Sequence, residues 1–229
     1  SIKDKAEDKG DAKKIEPLAA VEINDIKKNK EKYTAKGVEA IKNGKVAAVL
    51  LAGGQGTRLG LDKPKGTLNV GVNKDLFLFG RLIHNLMDVV NQTGAWVPLY
   101  IMTSDKNNKD TVEFFEEHNY FGYDKDYVKF FIQSMVPSVD YNGKLYMEST
   151  ESLAMSPNGN GGWFLSLIAA GLDKDMQHKG IEYVNVFAVD NILQRIADPA
   201  FIGATILAGA ECGLSLIHIS EPTRPRLIS

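Results

Sequence analysis

The chain has almost no thiol chemistry to offer: a single cysteine, Cys212, in 229 residues. A lone cysteine excludes a disulfide framework. With only four histidines beside it, a structural zinc site is short of ligands. Long apolar runs are missing too. The longest, Val46 to Ala52, falls far short of the roughly 20 residues that span a bilayer. There is no excess of positive charge: 27 basic residues against 29 acidic ones leave a net charge of −2. The chain therefore lacks the basic field that draws nucleic acid. Its charged start carries no apolar segment of the secretory kind. These absences argue against nucleic-acid and membrane partners and for a cytoplasmic setting. What is present is ordinary globular material, 44% hydrophobic and 24% charged, enough to build the core of one large domain.

The charge is unevenly placed. Residues 1–45 hold 12 of the 27 basic residues and 9 of the 29 acidic ones. Within them, Ser1 to Lys14 has almost no large apolar side chain and cannot bury enough surface to offset its ordering entropy, so it reads as disordered. Ile15, Leu18, Val21 and Ile26, then Tyr33, Val38 and Ile41, follow a loose helical period that ends at Gly44. We read 1–44 as a charged, helical extension. The opening serine is also what a segment taken from inside a longer protein would show.

From Lys45 the texture changes. Val46 to Leu51 is a short, partly β-branched apolar run stopped by Gly53-Gly54, the pattern of a buried strand in a largely parallel sheet. The spacing predicts further strands at 97–102, 128–132 and 183–189. Helices are expected at 76–90, 111–118, 162–170 and 201–208. Val139 to Tyr146 carries the Asn-Gly signal of a hairpin. Strands alternating with helices imply a sheet covered on both faces, with ligands beyond the carboxyl ends of its strands. His84, His118 and His178 have no ligand spacing, and Trp96 and Trp163 read as packing residues.

The first strand runs into Leu51-Ala52-Gly53-Gly54-Gln55-Gly56-Thr57-Arg58-Leu59-Gly60, then Lys63-Pro64-Lys65-Gly66. Glycines at a strand's carboxyl end let backbone amides approach phosphates closely. The loop is not a P-loop, because Gly56 is followed by Thr57-Arg58 rather than Lys-Ser/Thr. It is not a dinucleotide fingerprint either, since Leu59 stands where a glycine is needed. Arg58 is one of only five arginines in the chain and sits inside this loop. A guanidinium fork at one end and Lys65 at the other suit a triphosphate. Asp190 follows an apolar strand, which puts a carboxylate at the same rim. Read on residues alone, that aspartate could equally be a helix cap, and Pro157 to Gly162 merely a loop.

These motifs resemble the signature of UTP-dependent sugar-1-phosphate uridylyltransferases, and within them the UDP-N-acetylglucosamine pyrophosphorylase and UDP-sugar pyrophosphorylase family. Further blocks agree in order: Tyr100 to Ser104, Phe114-Phe115, Tyr120 to Gly122, Phe130 to Met135, Ser156 to Gly162, Val189 to Asn191 and Ala197 to Pro199. The resemblance covers about residues 37–213. It implies an α/β, Rossmann-like, glycosyltransferase-A-like nucleotidyltransferase fold with a mixed central sheet. It further implies that UTP and a sugar 1-phosphate are the substrates and Mg²⁺ the cofactor. Leu51, Ala52, Gly53 and Gly54 would hold the uridine, with Gln133 and Gly159 beside the uracil. Arg58 would contact the leaving pyrophosphate, Lys65 the reacting phosphates, Asn160 the sugar and Asp190 the Mg²⁺. Two positions depart from many relatives: Pro157-Asn158-Gly159 in place of Pro-Asp-Gly, which looks like a bacterial variant, and Ile132-Gln133 in place of two glutamines.

Beyond Gly213 the family register stops. Residues 214–229 resemble the conceptual translation of a sequencing adapter, so we expect a non-native tail there. On that reading, 45–213 is the N-terminal part of a nucleotidyltransferase catalytic domain, truncated at its C-terminus. Two alternatives to catalysis stand beside it: a UDP-sugar sensor that binds without turnover, and an inactive fragment. A sensor needs only the uridine contacts, so Arg58, Lys65 and Asp190 together favour the enzyme.

Overall fold

Strand β1 (Val46–Leu51) is the axis of the molecule. In the computed structural model, which describes residues 20–56, 60 and 62–215, it lies between two parallel neighbours. The sheet runs β3-β2-β1-β6, with β2 at Leu99–Thr103, β3 at Val128–Ile132 and β6 at Tyr183–Ala188. Val46 to Leu50 are at most 2% exposed, which is why the run is apolar at every position instead of alternating. Its side chains still divide by face. Ala48 and Leu50 join one core with Phe79, Leu82, Leu86, Ile101 and Phe187. Ala47 and Val49 join another with Tyr100, Met102, Phe131, Leu167 and Met176. Each large side chain so buried contributes about 1.5–3 kcal/mol.

Helices α3 (Leu78–Thr93) and α4 (Asn108–Glu117) supply the first core. Helices α5 (Trp163–Ala169) and α6 (Leu172–His178) supply the second. α3 begins at Leu78, not at residue 76, because Leu76 and Phe77 are held extended. The Val70 amide donates to the Leu76 carbonyl and Asn69 bridges Phe77. It ends at Gly94, whose φ of 70° is the left-handed cap that glycine takes most easily. α4 starts at Asn108, three residues earlier than the spacing predicts, since the Ser104 carbonyl accepts from both Asn107 and Asn108. The short α6 has no counterpart in the sequence reading.

The extension resolves into α1 (Ile23–Lys28), which buries nothing, and α2 (Lys30–Lys42). α2 crosses α7 (Pro199–Leu207) at two glycines. A Cβ on Gly37 would lie 1.8 Å from the Pro199 carbonyl oxygen, and one on Gly203 1.8 Å from that of Tyr33. Only residues without side chains permit that approach. Asp198 caps α7 by accepting from the Ala200 amide at 2.8 Å.

All pairing within the sheet is parallel among the described residues, in place of the mixed central sheet that the resemblance implies. Antiparallel strands pair in a separate ribbon, β4 (Met135–Pro137) with β5 (Met155–Pro157), and isolated antiparallel bridges occur in the loops. The hairpin expected at 139–146 lies within this excursion. Val139 bridges Leu145, and Asp140 Oδ1 accepts from the Asn142 and Lys144 amides. Asn119, Tyr120 and Phe121 form a left-handed turn at φ 47°, 50° and 53°. Its strain, about 1–2 kcal/mol per residue, is opposed by aromatic packing of Phe121 on Phe114, Phe115 and His118. Trp96 packs on Tyr123 and Tyr127, and Trp163 on Phe164, as expected of packing residues. Among the described residues no helix is long and apolar enough to cross a membrane. The expectations for Ser1 to Lys14, for Arg58 and for the tail from residue 216 lie outside the described residues.

Candidate active site

The parallel sheet brings four loops to one rim, at the carboxyl ends of β3, β2, β1 and β6. The loop after β1 doubles back on itself. Gln55 bridges Pro64, the Gly56 amide donates to the Lys63 carbonyl, and the Lys65 amide donates to the Gly54 carbonyl at 3.4 Å. Pro64, at φ −52°, then opens a short 3-10 turn over Lys65–Thr67. Thr67 Oγ1 closes that turn by donating to the Pro64 carbonyl at 2.8 Å. Gly66 lies against the Phe79 ring, where a Cβ would come within 2.2 Å. The lysine is thus fixed at its base by α3 and by the glycine loop, leaving its side chain to reach the rim.

Lys65 Nζ forms an ion pair with Asp190 Oδ1. Asp190 comes from the loop after β6, the strand next to β1. That loop is held from two sides: the Val189 amide donates to the Leu51 carbonyl at 3.3 Å. Asn85 Nδ2, from α3, donates to the carbonyls of Ile192 and Gln194, both at 3.0 Å. The Asp190 side chain is 62% exposed and that of Lys65 30%, so both face solvent at the rim. A pair this exposed is worth at most about 1 kcal/mol, and ligands can divide it cheaply.

Gln133 follows β3 and is buried, 5% exposed. Its backbone amide donates to the Thr103 carbonyl at 2.9 Å, which carries it over the end of β2 toward β1. There its side chain lies flat against Gly53: a Cβ on Gly53 would be 2.2 Å from Gln133 Nε2. Ser134 is tied to α5, its amide donating to Ser166 Oγ at 2.9 Å. The Asn158 amide donates to the Ser134 carbonyl at 3.0 Å, so the ribbon returns to the same rim. Gly159, at φ 80°, and Asn160 follow, both exposed, at the entrance to α5.

The structure therefore brings together Gly53, Gly54, Lys65, Gln133 and Asp190, with Leu51 and Ala52 leading in. Gly159 and Asn160 stand at the outer edge. Three supporting residues escaped the sequence reading: Asn85, Ser166 and Asn107. The last is fully buried, and its Nδ2 donates to the carbonyls of Ala52 and Gly54 at 3.0 and 3.3 Å. None carries a motif, and only the fold reveals what these amides and hydroxyl touch.

The strongly shifted titrations lie elsewhere. Asp175 on α6 accepts from Tyr100 Oη at 2.6 Å, from Lys129 Nζ at 2.7 Å and from Lys179 Nζ at 2.7 Å. Burial pushes its carboxyl up. The hydrogen bonds from Lys129, Lys179 and Tyr100 pull it down further, to well below the usual carboxylate range. Burial, then Asp175 itself, holds the Tyr100 phenol well above its usual value. This cluster docks a helix on the second core.

Comparison with known proteins identifies the family and the fold. The family model of UTP–glucose-1-phosphate uridylyltransferase matches residues 1–224. The mouse UDP-N-acetylhexosamine pyrophosphorylase-like protein 1 is 41% identical over 200 residues, 85% of this chain and 39% of its own. A probable UDP-N-acetylglucosamine pyrophosphorylase of Dictyostelium discoideum is 42% identical over 216 residues, 89% of this chain and 44% of its own. Among solved structures, the uridine diphosphate N-acetylglucosamine pyrophosphorylase of Trypanosoma brucei, in complex with an inhibitor, superposes with a TM-score of 0.73. It is 33% identical, over 82% of this chain and 41% of that one. The chain spans about two fifths of the length of these relatives. All three are eukaryotic, which lends the expected bacterial origin no support.

Proposed function

The chain belongs to the UTP–glucose-1-phosphate uridylyltransferase family, and from that premise we propose that it takes part in uridylyl transfer from UTP to a sugar 1-phosphate. The sugar 1-phosphate we propose is that of N-acetylglucosamine, the sugar named in several relatives, with a hexose 1-phosphate as the alternative. The observation that carries the reading is the Lys65–Asp190 pair, set at the ends of adjacent strands beside Gly53 and Gln133.

In this reaction a phosphate oxygen of the sugar 1-phosphate attacks the α-phosphorus of UTP in line. The bond from the α-phosphorus to the bridging oxygen breaks, and pyrophosphate leaves. The nucleophile arrives already ionised, so no general base is needed. Catalysis rests on alignment and on neutralising charge. The backbone of Leu51, Ala52, Gly53 and Gly54 holds the nucleotide. The Gln133 amide, which has no side-chain hydrogen-bond partner among the described residues, reads the edge of the base, and Gly159 flanks it. Asn160 bonds the sugar. Lys65 leaves Asp190 and turns its ammonium to the reacting phosphates, and Arg58 takes the leaving pyrophosphate.

Asp190 is then free to hold a divalent cation. Among the described residues no group of three acidic, histidine or cysteine side chains converges to cage a metal. One exposed carboxylate at a phosphate site suits Mg²⁺, which takes one or two carboxylates and completes its shell with water and phosphate oxygens. When bound there, Mg²⁺ supplies further neutralisation of phosphate charge. A cytoplasmic setting, where UTP is abundant, belongs to the same proposal.

The test is to incubate the chain, and its full genomic reading frame, with UTP, Mg²⁺ and a panel of sugar 1-phosphates while following pyrophosphate. Release with N-acetylglucosamine 1-phosphate or a hexose 1-phosphate is expected. Nucleotide binding with no release from any sugar would instead establish a UDP-sugar sensor.

A further inference from the structure

The backbone amides of the glycine loop are aimed by a side chain from another loop. Asn107 lies beyond β2 at the start of α4 and is fully buried. Its Oδ1 accepts from the Ser104 amide at 2.7 Å, which orients the carboxamide and settles which end is the donor. Its Nδ2 then donates to two carbonyls on either side of Gly53, those of Ala52 and Gly54. The Gly54 carbonyl accepts in addition from the Lys65 amide at 3.4 Å. One buried carboxamide therefore fixes three places at once: the exit of β1, the glycine loop and the base of the Lys65 turn.

The consequence follows from peptide geometry. In a trans peptide the C=O and the N–H point in opposite directions, and the described residues contain no cis bond. Turning the Ala52 carbonyl toward Asn107 turns the Gly53 N–H away from it. Turning the Gly54 carbonyl does the same to the Gln55 N–H. Neither amide has a partner among the hydrogen bonds of the described residues. Two donors without partners among the described residues, pointing the same way from a glycine-rich turn, suit negatively charged oxygen.

We propose that Asn107 is a positioning residue for nucleotide binding, its buried amide holding the Ala52 and Gly54 carbonyls so that the Gly53 and Gln55 amides face the bound nucleotide. This rests on the uridylyl-transfer reading for the identity of the ligand, but the clamp itself does not.

The variant Asn107→Asp keeps the acceptor for Ser104 and replaces the donor with an oxygen that repels both carbonyls. Tyr123→Phe is the control. It removes another buried hydrogen bond, from Tyr123 Oη to the Val97 carbonyl at 2.6 Å, at the opposite end of β2. Hydrogen exchange on the unliganded chain at pH 8 should show the Ala52 and Lys65 amides, which donate to the Met102 and Gly54 carbonyls, exchanging at least tenfold faster in Asn107→Asp, and unchanged in Tyr123→Phe. Calorimetry with UTP and Mg²⁺ should show affinity falling at least tenfold in the first and less than twofold in the second. In the unsubstituted chain, UTP should perturb the Gly53 and Gln55 amide resonances. Affinity within twofold for Asn107→Asp, or equal losses in both variants, would overturn the proposal. So would UTP binding that leaves those two resonances unmoved, a result that stands even if Asn107→Asp does not fold. If the chain binds no UTP, the functional reading fails and exchange alone decides the clamp.

Discussion

Two charged clusters sit on one sheet and differ in how completely they are satisfied. Asp175 has three partners, Tyr100, Lys129 and Lys179. Its side chain is 21% exposed, and each oxygen is already engaged. Asp190 has one partner among the described residues, Lys65, and its side chain is 62% exposed at the strand ends. The first arrangement is finished: it secures α6 to β2 and β3 and leaves no capacity for a ligand. The second has oxygen lone pairs to spare and a partner that can move away. A strongly displaced carboxyl often marks a functional site. Here the displaced one is structural, and the available one lies where a parallel sheet gathers its ligands. Counting partners separates the two better than the size of the shift does.

The contrast can be broken by exchanging one residue at a time. Lys65→Ala is expected to have the largest effect. Losing a cation from the developing charge should cut uridylyl transfer about 100- to 1000-fold, as followed by pyrophosphate release. The thermal midpoint should stay almost unchanged, because an exposed pair contributes little. A loss of stability matching the loss of activity would place Lys65 with the structural cluster instead.

Asp175→Ala should behave in the opposite way. It leaves two ammonium groups and a buried phenol without their shared acceptor, so urea denaturation should show a loss of about 2 kcal/mol. UTP affinity should remain within twofold of the unsubstituted chain. The same carboxyl sets a pH dependence. Its folded value lies below the unfolded one, near 3.9, so the stabilisation is present above about pH 4 and fades as the pH falls through and below that value. Asp175→Asn should flatten this acid limb in denaturation curves taken between pH 5 and pH 2. An unaltered limb would show that other carboxylates govern it.

Gly53→Ala should give the smallest change. The added methyl meets the Gln133 side chain, a flexible group that can yield. We expect about a fivefold to tenfold loss of UTP affinity, from displacing that amide, with 1 kcal/mol or less of stability. Unchanged affinity in calorimetry would remove Gln133 from the nucleotide site.

Much of this was legible in the residues. Continuous apolarity from Val46 to Leu50, ended by glycines, identified the central strand and pointed to its end as the candidate site. Val128–Ile132 was equally plain, and the family blocks led to Lys65, Gln133 and Asp190 as candidates. Other features had no local signal. α6 is a single short polar-faced segment held by Asp175, a contact that spans 75 residues of sequence to Tyr100. Leu76 and Phe77 carry a helical period, yet pairing with Asn69 and Val70 keeps them extended, a tertiary effect that overrides propensity. Asn107 and Asn85 act on carbonyls 53 to 109 residues away, so nothing beside them in sequence marks them.

The central claim is that the carboxyl ends of β1, β3 and β6 form a nucleotide site. Calorimetric titration of the chain with UTP in the presence of Mg²⁺ tests it most directly. The account predicts saturable binding at one UTP per chain, weakened at least tenfold by Asn107→Asp and unaltered by Asp175→Asn. A folded chain that takes up no UTP, or one whose binding is lost with Asp175 and indifferent to Asn107, would contradict it.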